Sequence, residues 1–282
     1  MTDAATNQLK KTARDSTIYA VGSIVRRLAS FIMLPIYTQY LTPSDYGAVE
    51  LLSMLIVFAG IFIGMQMSQA LFCFYIMESD DSKKKTTVST TLHLLIITSL
   101  IGVTVLYLFS QDIVSALFGN ANYLREFEFF IVTLTTTAVV DVCLGYFRAQ
   151  QRAVLFVAVS TLFMVLQVSL NSYFVVWKEL HVLGVAYSAL AGGIIAAVCL
   201  ATYVFWQVGV RFSIEVAIKL LRFIAPLIVA SLAAFYGNYG DLYLIRVFAD
   251  LHEVGIYALA MKVAAVLLLA GEAFNMSWGG DR

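Results

Sequence analysis

Charge is scarce in this sequence. Only 13% of its 282 residues are Asp, Glu, Lys or Arg, about half the share in a soluble domain. With 61% hydrophobic residues and a mean hydropathy of +0.85, the chain reads as an integral membrane protein. Apolar runs recur from end to end, which excludes a soluble domain carried on a single anchor. The 18 basic and 18 acidic residues cancel, so the total points to no partner, and no nucleic acid is expected. Cysteine is nearly absent: Cys73, Cys143 and Cys199 are scattered inside apolar runs and read as small buried hydrophobes, not disulfides or a metal site. The histidines His93, His181 and His252 share no metal-ligand spacing. There is no H-E-x-x-H, Walker loop or G-x-S-x-G, and no loop D-x-D. Nothing recommends an enzyme, and no cofactor is expected.

What is present is a series of apolar stretches. Eight spans can be placed at roughly 17–40, 46–76, 87–109, 124–147, 153–177, 183–208, 222–247 and 255–278, giving an all-α polytopic membrane protein. The short loops make neighbours antiparallel and leave no room for a soluble catalytic domain. The second span is over-long, with a kink or tilt expected near Gly60 and Gly64. Pro226 falls near the start of the seventh, where a missing N–H is tolerated. Lys10, Lys11 and Arg14 precede an apolar run as in a signal peptide. That run is too long and leads to no small-residue cleavage site, so it reads as a retained first span. Lys10, Lys11, Arg14, Lys83, Lys84, Lys85, Arg148, Arg152, Arg211, Lys219 and Arg222 fall on one side, against Arg125, Lys178 and Arg246 on the other. By the positive-inside rule the N-terminus is cytoplasmic.

The sequence also echoes itself. Ser44-Asp45-Tyr46-Gly47 precedes the second span and His252-Glu253-Val254-Gly255 the eighth, 208 residues later. Six spans fit in that period, so both copies would enter the membrane in the same direction, as parallel repeats do. The expected organisation is a complete six-helix lobe over 1–215, followed over 216–282 by the first two helices of a second lobe. On this reading the chain is a fragment.

Charges inside the membrane are the functional candidates, because each costs about 2.5–3.5 kcal/mol on insertion scales. Arg26 and Arg27 sit about 15 Å along the first span. They either face a wet cavity or snorkel to the cytoplasmic surface. Lys262 lies about 10 Å into the eighth span, with the same two readings. Asp241 and Arg246 lie near the outer end of the seventh span; a mutual pair is conceivable, but five residues is a poor helical spacing. Asp141 stands two turns before Arg148 and is either a structural partner or a proton or ion site. Glu272 is near the cytoplasmic end of the eighth span. Glu50, Glu128 and Arg125 read as solvated helix starts. The 20 Phe and 15 Tyr suit lipid-facing and interfacial positions. Gly60-x-x-x-Gly64 and Ala189 to Gly193 read as packing faces. Repeats, midplane cations and no catalytic motif together suggest a secondary transporter for something anionic.

Leu34-Pro35-Ile36-Tyr37 followed by Leu41-Thr42-Pro43-Ser44-Asp45-Tyr46-Gly47 resembles the end of the first helix in Wzx-type polysaccharide flippases. Pro226, Asp241, Gly255-Ile256-Tyr257-Ala258, Lys262 and Phe274-x-x-x-Trp278 resemble that family's seventh and eighth helices. The family belongs to the multidrug/oligosaccharidyl-lipid/polysaccharide exporter superfamily. The resemblance implies two lobes, alternating access, a bacterial inner-membrane location, and an undecaprenyl-pyrophosphate-linked oligosaccharide as substrate. It implies that Arg26, Arg27 and Lys262 bind that substrate in a central cavity. A polysaccharide polymerase and a chain-length regulator are its conceivable partners, besides membrane lipids. Asp141 and Glu272 are ion-coupling candidates, with Asp241 and Arg246 as further coupling or gating residues. The family runs well beyond 400 residues, which again makes this chain a fragment.

Two alternatives stay open. A multidrug antiporter of the same superfamily would favour an acidic cavity, whereas the three cations point to anions. A membrane-embedded polysaccharide polymerase or ligase would need a sizeable outer loop, and the longest here is 110–123. Charge-removing substitutions at Arg26, Arg27 and Lys262 are expected to abolish export while expression persists. Full export by the triple variant would contradict the assignment, and flipping that persists in Asp141→Asn and Glu272→Gln proteins would remove those two from ion coupling.

Overall fold

The computed structural model describes the backbone of residues 32–64 and 66–279, with side chains up to residue 265. Among these, every regular element is a helix. A helix over 32–40, α1, is followed by α2 (Pro43–Ile63), α3 (Met67–Met77), α4 (Asp81–Leu108), α5 (Ser110–Phe118) and α6 (Leu124–Ala149). Next come α7 (Ala153–Ser172), running into a π-helical turn at Tyr173–Trp177, α8 (His181–Val208), α9 (Ile214–Phe248) and α10 (Leu251–Gly279). Six helical stretches among the described residues are long and apolar enough to cross a membrane. They are Pro43–Met77, Asp81–Leu108, Leu124–Ala149, Ala153–Trp177, His181–Val208 and Ile214–Phe248. The first expected span lies mostly outside the described residues, and α10 occupies the place of the eighth. The protein is a multi-pass membrane protein.

The Leu41–Gly47 stretch has a local physical explanation. Pro43 disfavours helical backbone at the residue before it, and Thr42 is extended, with φ −70° and ψ 158°. Thr42 caps α2 by accepting from the Asp45 N–H at 3.1 Å, and its own N–H donates to Asp45 Oδ2 at 3.2 Å. This capping box satisfies donors that the helix start would otherwise leave unpaired, and Pro43 takes the first helical position. The same plan recurs 208 residues on. Helix α1 ends at residue 40 and α9 at 248; α2 begins at Pro43 and α10 at Leu251. Asp250 stands where Thr42 stood, accepting from the Glu253 N–H at 3.1 Å.

These two starts cross each other. A Cβ on Gly47 would overlap the Leu251 carbonyl oxygen, and one on Gly255 would overlap the Pro43 carbonyl oxygen. The contact is reciprocal: each glycine meets the residue four before the other. Only a residue without a side chain lets two helix backbones come this close. Helix α2 accordingly packs most extensively on α10.

The over-long second span breaks where expected. Helix α2 stops at Ile63, and Gly64 takes φ +139°, which an L side chain rarely adopts. The break frees the Ile63 carbonyl, and Thr98 Oγ1 donates to it at 2.8 Å. Pro226 does not lie near a helix start: α9 begins at Ile214 and runs through it. The proline therefore removes one backbone bond from inside the membrane, where a soluble helix would rarely accept the loss. The stretch 110–123, read as a loop, contains α5, buried through Val114 and Phe118 and ended by Gly119 at φ +76°.

Two apolar cores stack along the bundle, and α6 passes through both. Phe127 and Ile131 join Leu51, Val114, Val182, Leu242 and Val254 towards the Gly47 end. Val139 and Phe147 join Leu71, Leu92, Phe156, Val204 and Leu220 towards the other. Helix α8 comes close to α6 because Gly193 leaves room for Thr136, so the Ala189–Gly193 face packs inside the bundle. Leu162, Trp206 and Val229 point outwards, each 70% exposed or more, as lipid-facing groups should. All three cysteines are free thiols.

If the crossing depends on bare backbone, Gly255→Ala should destabilise the purified protein by about 1–3 kcal/mol, as overpacking does. Gly237→Ala, where a Cβ meets nothing within 4 Å, should leave stability unchanged or raise it by up to about 1 kcal/mol. Thermal unfolding in detergent compares the two, and equal effects would refute the reading.

Candidate functional site

Beyond the crossing, α2 presents Glu50 one turn past Gly47 and α10 presents Lys262 two turns past Gly255. Lys262 is eleven residues past Leu251, about 16 Å along its helix. Its ammonium donates to Glu50 Oε1 and lies 5.1 Å from the centre of the Tyr46 ring. The Glu50 side chain is 16% exposed and that of Lys262 36%. Either charge alone would carry a large desolvation cost in an apolar bundle, and pairing offsets it. The ring face adds a cation–π attraction of about 1 kcal/mol.

The pair forms a shared wall between two cavities. The first, about 330 Å³, lies towards α1, α6, α7 and α8 and is lined by Tyr37, Ser53, Gln167, Asn171 and Ser188 together with Glu50 and Lys262. Asn171 donates to the Tyr37 hydroxyl at 2.6 Å, while its own Oδ1 is buried with no partner among the described residues. The second, about 370 Å³, lies towards α9 and is lined by Asn238, Tyr239, Asp241, Tyr257, Glu50 and Lys262. Amides, hydroxyls, one ammonium and the carboxylates of Glu50 and Asp241 thus face space inside an apolar bundle. Such a surface suits a polar guest that cannot enter hydrocarbon.

The structure treats the candidates unequally. Lys262 faces both cavities and is held by Glu50. Arg26 and Arg27 lie outside the described residues. Glu272 lies on α10, but its side chain is also outside them. Asp241 reaches the second cavity, where it accepts from the Tyr257 hydroxyl and, at 2.8 Å, from the Leu242 N–H. Arg246 turns elsewhere, donating to the Leu117 carbonyl at 2.9 Å and the Ala249 carbonyl at 3.3 Å. Asp241 and Arg246 therefore do not pair with each other, as their five-residue spacing suggests. The Arg246 bonds tie the end of α9 to the end of α5.

Asp141 and Arg148 share a third cavity of about 340 Å³, lined also by Gln66, Ser68 and Gln69. Ser68 links them, donating to the Asp141 carbonyl at 3.0 Å and accepting from Arg148 Nη2 at 3.5 Å. This places Asp141 apart from the Glu50–Lys262 pair.

Glu50 is the residue that the sequence reading missed. By its place in the sequence it reads as a solvated helix start, yet it is seven residues past Pro43, about 10 Å into the helix. That depth was the available signal. What hid it was its partner, 212 residues away. Among the described residues no three His, Cys, Asp or Glu side chains come together as metal donors would.

Comparison with known proteins extends this. The model of the polysaccharide biosynthesis protein family matches residues 12–275. A MOP superfamily transporter from Pyrococcus furiosus, described as having a binding pocket of reverse polarity, is 16% identical. It superposes with a TM-score of 0.62, over 79% of this chain and 52% of that one. A MATE protein solved with MaD3S is 16% identical with a TM-score of 0.68, over 90% and 60% of the two chains. The Vibrio cholerae MATE transporter VcmN is 12% identical with a TM-score of 0.57, over 90% and 65%. At such identities the likeness is one of fold. The chain spans between 52% and 65% of the length of these structures. No curated protein matches the sequence. The match over residues 12–275 covers nearly the whole chain, and the chain belongs to the polysaccharide biosynthesis protein family.

Proposed function

We propose that this chain is the larger part of a non-enzymatic exporter that moves a polyprenyl-diphosphate-linked oligosaccharide across the bacterial inner membrane by alternating access. The observation that carries the reading is the Glu50–Lys262 pair standing between two cavities that place a few polar groups inside an apolar bundle. A diphosphate and a glycan cannot cross hydrocarbon, where each unsatisfied polar group costs several kcal/mol. A polar chamber hides them while the lipid tail stays in the bilayer. Lys262 supplies a cation for the diphosphate, and Arg26 and Arg27 would add guanidinium forks suited to the same group.

The proposed architecture is a six-helix lobe over 1–215 and the start of a second over 216–282. The 208-residue recurrence of helix ends and caps, and the reciprocal glycine crossing, support a two-fold relation between them. An inward-facing N-terminus is supported by the gathering of basic residues at one end. There Arg211 reaches across to Ser82 at 2.9 Å, beside Lys83, Lys84 and Lys85. A polymerase and a chain-length regulator remain proposed partners.

A second reading, a multidrug cation antiporter, draws on the carboxylates Glu50 and Asp241 in the second cavity. Against it, Glu50 is already neutralised by Lys262, and Asp241 is occupied by Tyr257. Two assays separate the readings. In a bacterium lacking its own saccharide exporter, expression should restore surface polysaccharide and leave the tolerance of cationic drugs unchanged. Drug resistance without restored polysaccharide would reverse the conclusion.

A further inference from the structure

The first cavity has a polar wall of its own, apart from the ion pair. Gln167 and Asn171 stand one turn apart on the same face of α7, and both line it. Each carboxamide is held in place. Asn171 Nδ2 donates to the Tyr37 hydroxyl at 2.6 Å. Gln167 Nε2 donates to the Ala189 carbonyl at 3.5 Å. Its amide fits because α8 carries no side chain at Gly192, where a Cβ would come within 2.9 Å of the Gln167 Cδ and Oε1.

The hydrogen-bonding capacity left on this wall leans one way. Asn171 Oδ1 is buried with no partner among the described residues. Ser53 and Ser188 give their protons to the Val49 and Val185 carbonyls, each at 2.8 Å, which leaves their oxygens as acceptors. The wall is therefore short of donors, and an acceptor buried without one is costly. A guest that brings hydroxyl protons supplies them. A carboxylate brings only further acceptors, and it would lie beside Glu50, a like charge on the same cavity. Met33, Met164, Val168 and Val185 make much of the remaining lining, which suits the C–H faces of a sugar ring. A volume of about 330 Å³ is at the small end of ligand pockets, so it takes a ring and not a chain.

Lys262, the cation proposed for the diphosphate, lines the same cavity. The ring that fills it is then the one bonded to the diphosphate. Resting on the exporter reading, we infer that the first cavity seats the sugar directly attached to the diphosphate, and that Gln167 and Asn171 select an uncharged, hydroxyl-bearing sugar over an acidic one. Sugars further along the glycan lie beyond the reach of α7 and are not selected there.

The test uses the full chain in phosphatidylcholine nanodiscs, with empty nanodiscs as the background. The radiolabelled probes are geranyl diphosphate esters of glucose, of glucuronate and of methanol. The methyl ester keeps the charge of the diphosphate without a sugar, and the two sugars differ only at C6, a hydroxymethyl in one and a carboxylate in the other. At about pH 7.5 the glucose ester should bind about tenfold tighter than the methyl ester, the equivalent of one or two hydrogen bonds. The glucuronate ester should bind at least about tenfold more weakly than the glucose ester. In Asn171→Leu and in Gln167→Leu the gain of glucose over methyl should fall below about threefold. Reading a ratio within each protein separates selection of the sugar from a general loss of structure. Should either variant fail to fold, the other variant and the wild-type ratio of glucose to glucuronate read the same selection.

A glucose ester that binds no tighter than the methyl ester, a glucuronate ester that binds as well as glucose, or a gain that survives intact in the folded variants would each overturn the inference. The exporter reading would outlast those results if wild type binds the methyl ester and Lys262→Met loses it. Lys262→Met binding the methyl ester as tightly as wild type, or no binding of any probe by folded wild type, would overturn both.

Discussion

The approach of α2 and α10 at Gly47 and Gly255 is the constraint on which the rest depends. Because neither residue carries a side chain, the two helix backbones nearly touch at their starts. Beyond that point Glu50, one turn past Gly47, and Lys262, two turns past Gly255, come within reach of each other. That is why Glu50 and Lys262, 212 residues apart in the chain, meet as an ion pair. The caps at Thr42 and Asp250 fix where each helix begins, the glycines fix where they touch, and the charges fall into register as a result.

The crossing is symmetric, but the chemistry on it is not. Under the 208-residue offset, Glu50 corresponds to Ala258 and Lys262 to Met54, both apolar and buried. Each of the two helices therefore contributes one member of a single ion pair. In a low-dielectric bundle a charge without its partner carries a high cost, so α2 and α10 are energetically bound to each other at this point. A symmetric arrangement would have placed like charges or two salt bridges there. One pair beside two cavities instead concentrates the electrostatics at a single place.

Much of the fold was legible because the membrane imposes it. Apolar stretches of sufficient length must be helices, since no water is present to satisfy the backbone, and all the described spans are helical. The break at Gly64 was legible because glycine alone tolerates φ +139° there. The likeness of the two helix starts was legible in Gly47 and Gly255, and caps at Thr42 and Asp250 stand at matching positions ahead of them. Reading failed where local pattern carries no information about partners. Pro226 lies inside α9 because the helix starts eight residues earlier than hydropathy suggests, its first turns being polar on one side. Asp241 and Arg246 look like neighbours in sequence but serve different elements. The exposed-looking Glu50 is a wall of the site.

The sequence by itself determined that the chain is helical and membrane-embedded, where its spans turn, and that Lys262 is an intramembrane cation in need of an explanation. Those properties follow from composition, period and cap chemistry, which act within a few residues. Only the tertiary structure decided that Lys262 is answered by Glu50, that Asp241 answers to Tyr257, and that Asp141 belongs to another cavity. Such pairings depend on which helices cross and at what depth. That depth is set by backbone contact at two glycines, which no local pattern could place against each other.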